Sequence, residues 1–162
     1  MEFKGSADAK SLRIAIVVSR YNDFVTDKLR DGAIEALKTA GAPGNAIDVF
    51  DAPGAYEIPQ VARMAAQTGH YEAVVCLGCL IRGETAHFEY ISSAVSHGIM
   101  TAAAETETPM TFGVLTTESA EQALARAVPG AANKGWEAAM AAVELATLKR
   151  AVREAGSRSA GW

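Results

Sequence analysis

Short apolar runs alternate along this chain with longer stretches in which apolar residues recur at helical spacing. Arg13–Ser19 (RIAIVVS), Ile47–Ala52 (IDVFDA), Ala73–Leu80 (AVVCLGCL) and Met110–Thr116 (MTFGVLT) read as strands. The first and third are almost continuously apolar and rich in β-branched residues, the pattern of strands buried on both faces. Thr26–Ala40 places Leu29, Ala33, Ile34 and Leu37 on one helical face, with Thr26 as candidate N-cap and Gly41 as the stop. Pro59 suits the first turn of a second helix, ending near Thr68 before Gly69. Phe88–Ala104 reads as a third helix and Ala120–Ala127 as a short fourth, broken by Pro129-Gly130. The last helix runs from Trp136 to about Glu154. The strand-like MEFKG opens an N-terminal arm, residues 1–11, suited to adding to a sheet edge; residues 156–162 read as a frayed tail.

Regular alternation of strand and helix dictates a parallel sheet covered on both faces. The expected fold is a single α/β domain over residues 1–162. It is flavodoxin-like, a three-layer sandwich of about four parallel strands in order 2-1-3-4. In such sheets a ligand sits outside the carboxyl ends of the strands. The junction Gly78–Tyr90 (GCLIRGETAHFEY) lies at that edge and runs into the mouth of a helix. Helix N-termini offer unpaired N–H groups to anions. Gly83 lets the backbone come close, Thr85 supplies a hydroxyl, and His87 can exchange a proton near neutral pH. A phosphate site with a histidine beside it is the first hypothesis.

Other unusual residues fall at the same edge: Tyr21 after strand one, and Tyr56 and Glu57 after strand two. Phe112 lies on strand four. Each has a plainer reading. Tyr21 is either a solvent-facing loop aromatic or a platform for a heteroaromatic ring. Glu57 suits the positive end of a helix. His87 is equally read as a polar cap. Arg126 and Lys134 read most simply as solvated helix charges.

Composition narrows the function classes. With 162 residues, 49% hydrophobic and 21% charged, the chain can bury one full core. A net charge of −4 gives no nucleic-acid footprint. No apolar run is long enough to span a membrane, and the N-terminus lacks an apolar signal core, so a cytoplasmic location is expected. The only cysteines, Cys76 and Cys79, are spaced C-x-x-C. On a strand, residues three apart face opposite sides, and no second ligand cluster exists, so no metal site is expected. Cys76 reads as core and Cys79 as a position near the site. There is no dinucleotide or P-loop fingerprint and no nucleophile elbow. A flavin-binding or signalling module would need a flavin phosphate loop or an acidic pocket. Asp51 ends strand two without an acidic companion after strand one.

The segments SRYN, PGAYEIP, GCLIRGETAHFEYI, PMTFGVLTTE, EQALARA and NKGWEAA, in this order and spacing, resemble the lumazine synthase family from Leu12 to about Val152. The resemblance implies a transferase of riboflavin biosynthesis with no cofactor. Such an enzyme joins 5-amino-6-(D-ribitylamino)uracil to 3,4-dihydroxy-2-butanone 4-phosphate, giving 6,7-dimethyl-8-ribityllumazine, phosphate and water. Carried over by motif, Tyr21 stacks on the pyrimidine, where the family often has Phe or Trp. Ala55, Tyr56 and Glu57 meet the uracil and its ribityl chain. Cys79, Leu80 and Ile81 offer backbone groups to the pyrimidine; Cys79 replaces the commoner Thr or Ala. Glu84, through its backbone, and Thr85 bind phosphate, and His87 is the general acid/base. Phe112 and Arg126 serve the site of an adjacent subunit, with Arg126 on the phosphate and Lys134 reinforcing its charge. The resemblance further implies a homopentamer and leaves open both a sixty-subunit icosahedral shell and a partnership with riboflavin synthase. Residues 128–133 depart from the turn usual in shell formers. An inactive shell or storage protein is the rival reading, and the full set of site residues argues against it.

Overall fold

The computed structural model describes residues 1–161, so Trp162, the last residue of the expected frayed tail, lies outside the described residues. Four strands, β1 (Ile14–Ser19), β2 (Ile47–Ala52), β3 (Ala73–Ile81) and β4 (Met110–Thr117), pair in the order β2-β1-β3-β4. All pairings are parallel. The expected flavodoxin-like α/β sandwich is the observed one. Every residue of β1 is buried, as its continuous apolar run requires of a central strand. β2, at the sheet edge, alternates and is only partly buried.

Helices cover both faces. α1 (Asp23–Thr39), α4 (Ala120–Ala125) and α5 (Lys134–Ser159) close one core with Ile14, Ile16, Val75 and Leu77. α2 (Ile58–Gln67) and α3 (His87–Thr106) close the other with Ala15, Val17, Val74 and Cys76. Alternation along the strands therefore sorts the two cysteines onto opposite faces: Cys76 joins the second core and Cys79 the first.

Several boundaries differ from the sequence reading. α1 starts at Asp23, not behind Thr26, because Asn22 adopts the left-handed conformation (φ 65°) and turns the chain at once out of β1. Thr26 is then inside the helix and buried, its hydroxyl donating to the Ser19 carbonyl at 2.7 Å. Gly41 ends α1 as expected. At φ 102° it completes a Schellman motif, with Ala42 N–H donating to Leu37 O and Gly41 N–H to Lys38 O. α5 extends through Ser159, past the expected end near Glu154, so most of the expected frayed tail is helical. The arm forms no strand. It runs along α5 instead, with Ser6 N–H donating to Thr147 Oγ1 at 2.8 Å, and is pinned by Ala9 N–H on the Ala40 carbonyl.

α5 begins at Lys134 because Asn133 caps it, its side-chain oxygen accepting from Gly135 N–H (2.8 Å) and Trp136 N–H (3.2 Å). The Asn133 amide also donates to Lys28 O on α1 at 3.1 Å. Asn133 is buried, so these partners satisfy groups that would otherwise be costly to hide. The two helices touch here. A Cβ added to Gly135 would lie 2.0 Å from the Leu29 carbonyl oxygen, and one added to Gly32 would lie 2.4 Å from the Asn133 side chain. Gly135→Ala is therefore expected to destabilise the protein by about 1–3 kcal/mol, although an unconstrained helical Gly→Ala change stabilises. Thermal melting at fixed protein concentration measures this; an unchanged or raised Tm would contradict the contact.

Candidate active site

The parallel register delivers the loops after β1, β2 and β3 to one edge of the sheet, and backbone bonds tie them together. Arg20 N–H donates to Ala52 O at 2.8 Å and Tyr21 N–H to Pro53 O at 3.3 Å, joining the first loop to the second. The Asn22 amide donates to the Cys79 carbonyl at 2.8 Å, joining the first to the third. Asn tolerates the left-handed backbone this needs.

Between these loops lies a cleft of about 660 Å³. Eight of the expected site residues line it: Tyr21, Ala55, Tyr56, Glu57, Leu80, Ile81, Thr85 and His87. Tyr21 and Tyr56 are 71% and 63% exposed, so both rings are open to a ligand rather than packed away. Gly54 sits in extended backbone close under Glu57, where a Cβ would lie 3.3 Å from the carboxylate. At the far wall α3 begins with His87, and Gly83, Thr85 and His87 surround its opening turn. The Thr85 hydroxyl accepts from His87 N–H at 3.4 Å. Twenty residues of helix stand behind this N-terminus, whose dipole favours an anion in the cleft.

Four expected residues are not among the lining. The Cys79 side chain points into the α1/α5 core, and its carbonyl accepts from Asn22. Glu84 is exposed, while the neighbouring Gly83 takes the wall position. Phe112, 49% exposed, stands on edge strand β4. Arg126 is exposed at the end of α4, its guanidinium donating to Gln122 O at 2.8 Å. Lys134, expected to add positive charge, pairs with Glu137 at 2.7 Å; its N–H donates to the Arg126 carbonyl at 2.9 Å and fixes that residue's backbone.

Sequence reading assigned no role to Asn22, Phe88, Ile91 or Arg82. The first three line the cleft. Arg82 braces it from behind, 4.6 Å over the Phe88 ring and paired with both Glu89 and Glu118. Its hydrogen bond holds the Glu89 carboxyl below the usual range. Glu118 N–H donates in turn to Gln122 Oε1, whose carbonyl accepts from Arg126. The signal for Arg82 was present as charges of opposite sign at positions 82 and 89, but nothing local to the sequence brings in Glu118.

A sequence model of the 6,7-dimethyl-8-ribityllumazine synthase family matches residues 11–150. The chain belongs to that family. It is 50% identical over 149 residues to a 6,7-dimethyl-8-ribityllumazine synthase of Syntrophus aciditrophicus, covering 92% of this chain and 97% of the relative. It is 55% identical over 142 residues to 6,7-dimethyl-8-ribityllumazine synthase 1 of Caulobacter vibrioides, covering 88% and 93%. Like other lumazine synthases, it is a transferase of riboflavin biosynthesis. No helix among the described residues is long and apolar enough to cross a membrane. Among the same residues no group of three or more His, Cys, Asp or Glu side chains could hold a metal ion.

Neither thiol of this lumazine synthase is poised for chemistry. Burial pushes Cys76 up to about 12 and Cys79 up to about 11, and the thiolate is the reactive form. At pH 8 an aromatic disulfide reagent is expected to leave both unmodified in the native protein and to titrate both in denaturant. Rapid native modification of Cys79 would show that the strand end opens.

Proposed function

We propose that this cleft is where the two substrates meet, with His87 moving the protons and Arg126 of an adjacent subunit holding the phosphate. The chain condenses 5-amino-6-(D-ribitylamino)uracil with 3,4-dihydroxy-2-butanone 4-phosphate to give 6,7-dimethyl-8-ribityllumazine, the penultimate step of riboflavin biosynthesis. One observation carries the division of labour: the cleft lining contains a carboxylate, Glu57, but no lysine or arginine. Arg82 is close by, yet it is committed to two carboxylates. A phosphate ester bound here has helix N–H groups and the Thr85 hydroxyl, which leaves its cation to a residue outside the lining.

Arg126 suits that task because it does not line its own cleft and its guanidinium makes a single bond to a carbonyl. Surface composition supports association. Of the twenty residues of α3 only Val95, Ile99 and Ala102 are buried, while Tyr90 and Met100 are 75% and 73% exposed. Phe112 adds an exposed ring on β4, against which α3 packs. A homopentamer fits these surfaces; a cytoplasmic location, a sixty-subunit shell and contact with riboflavin synthase belong to the same reading by family resemblance. Light scattering is expected to give a particle of five chains or a multiple of five. A fully active monomer would overturn the shared site.

In the reaction the uracil's primary amine attacks the ketone to form an imine with loss of water; a proton leaves the hydroxyl-bearing carbon as phosphate is eliminated, the resulting enol tautomerises to a new carbonyl, and the ribityl-bearing amine closes the ring on it with loss of a second water. Tyr21 and Tyr56 supply flat surfaces for the pyrimidine, and Glu57 can accept from its polar edge or the ribityl hydroxyls. His87 sits at the phosphate end of the cleft, where protons must be taken from the carbon skeleton and returned to oxygen. Such a group contributes roughly 10²–10⁴-fold. Holding the reactants in register supplies much of the rest. The expected kinetics are asymmetric. His87→Ala lowers kcat within that range but leaves measurable turnover. Arg126→Ala raises KM for the phosphate substrate severely, since a charge-assisted pair is lost. An unchanged KM in the Arg126 variant would refute its assignment.

A further inference from the structure

At the opposite end of the sheet from the cleft lies a second hollow of about 370 Å³. It is bounded by the end of α2, the segment entering β3, the α3–β4 turn and one face of α5. Its polar lining includes Lys149, Arg150, Arg153, Glu72, Thr106 and Thr108, with Tyr71, whose hydroxyl donates to Asp48. We propose that this hollow binds a small multivalent anion of the phosphate class, pyrophosphate or a compact phosphate ester.

Charge is the first ground. Three cations face one lining carboxylate in a chain whose net charge is −4. The hollow is therefore an isolated positive site on an acidic protein, the setting in which a local field selects an anion. Lys149 and Arg153 are one helical turn apart on α5, a spacing at which like charges repel. That repulsion is only partly offset within the chain. Lys149 is held below its ordinary range first by burial and then by Arg153, and Glu107 opposes with a smaller effect than either. An anion between the two cations would offset their repulsion.

Preorganisation is the second ground. Lys149 donates to the Glu107 carbonyl, which caps the end of α3 where Glu107 turns left-handed (φ 53°). Arg150 is fixed by Ser11 (2.7 Å to the hydroxyl) and by Glu72 (3.3 Å). The lone carboxylate is thus already engaged. Arg153 has no carboxylate within ion-pair distance among the described residues, so its planar fork is free for an oxyanion. Thr108, nearly buried, spends its hydroxyl on a long 3.3 Å bond to Thr106 O and can turn toward a ligand. The volume exceeds that of a single phosphate, which favours a diphosphate or an ester with a small organic part.

The cleft also handles phosphate, so the test separates the two sites. Inorganic pyrophosphate is titrated by calorimetry, at fixed ionic strength, into the assembled full-length Arg126→Ala protein. A second titration uses the same protein carrying Lys149→Gln and Arg153→Gln. The first is expected to bind one pyrophosphate per chain and the second to bind at least roughly tenfold more weakly, as loss of two charged donors requires. Arg153→Gln alone, at an exposed position, gives the same direction if the combined variant fails to fold. Equal affinity with and without the two cations would overturn the site, as would equal binding of acetate.

Discussion

The bond from the Asn22 amide to the Cys79 carbonyl holds the active edge of this protein in shape. Parallel pairing brings three strand ends to one edge, but strand ends diverge unless something spans them. The backbone bonds from Arg20 and Tyr21 bind the first loop to the second, and Asn22 binds it to the third. One such bond contributes only about 0.5–1.5 kcal/mol. Its weight here is geometric, since it fixes the distance between Tyr21 on one side of the cleft and the mouth of α3 on the other. The left-handed backbone at Asn22 is the cost of placing the amide there.

The charges of the site follow from the same layout. A helix N-terminus and a threonine attract an anion without the permanent grip of a buried cation. Arg82, the nearest guanidinium, is neutralised by Glu89 and Glu118 and serves as a brace for Phe88. Through Glu118 and Gln122 that brace continues to Arg126. The wall of one cleft and the arginine proposed for the next are thus joined by direct hydrogen bonds within a single chain.

Much of this was legible in the amino-acid order. Continuous apolar runs identified β1 and β3, and the alternation of strand with helix implied a parallel sheet, its order coming with the flavodoxin-like class. Tyr21, Tyr56, Thr85 and His87 stood out by converging on one sheet edge, although Tyr21 and His87 each have a plainer reading alone. What escaped depended on contacts across the chain. Asn133 reads as an ordinary loop residue until Lys28 and α1 are placed beside it. Asn22 looks like an N-terminal neighbour of a helix, while its partner lies on another strand. The opposed directions of Cys76 and Cys79, by contrast, followed from their spacing on a strand.

The clamp at the start of α5 has a mechanical consequence. Gly135 and Asn133 lock the first turn of this helix to α1, and Lys134 grips the Arg126 backbone at the same point. Farther along the same helix a separate set of bonds takes over, from Lys149 to the Glu107 carbonyl and from Arg150 to Ser11 and Glu72. The two sets share no partner, so a substitution at Arg153 leaves every bond of the clamp beside Arg126 in place.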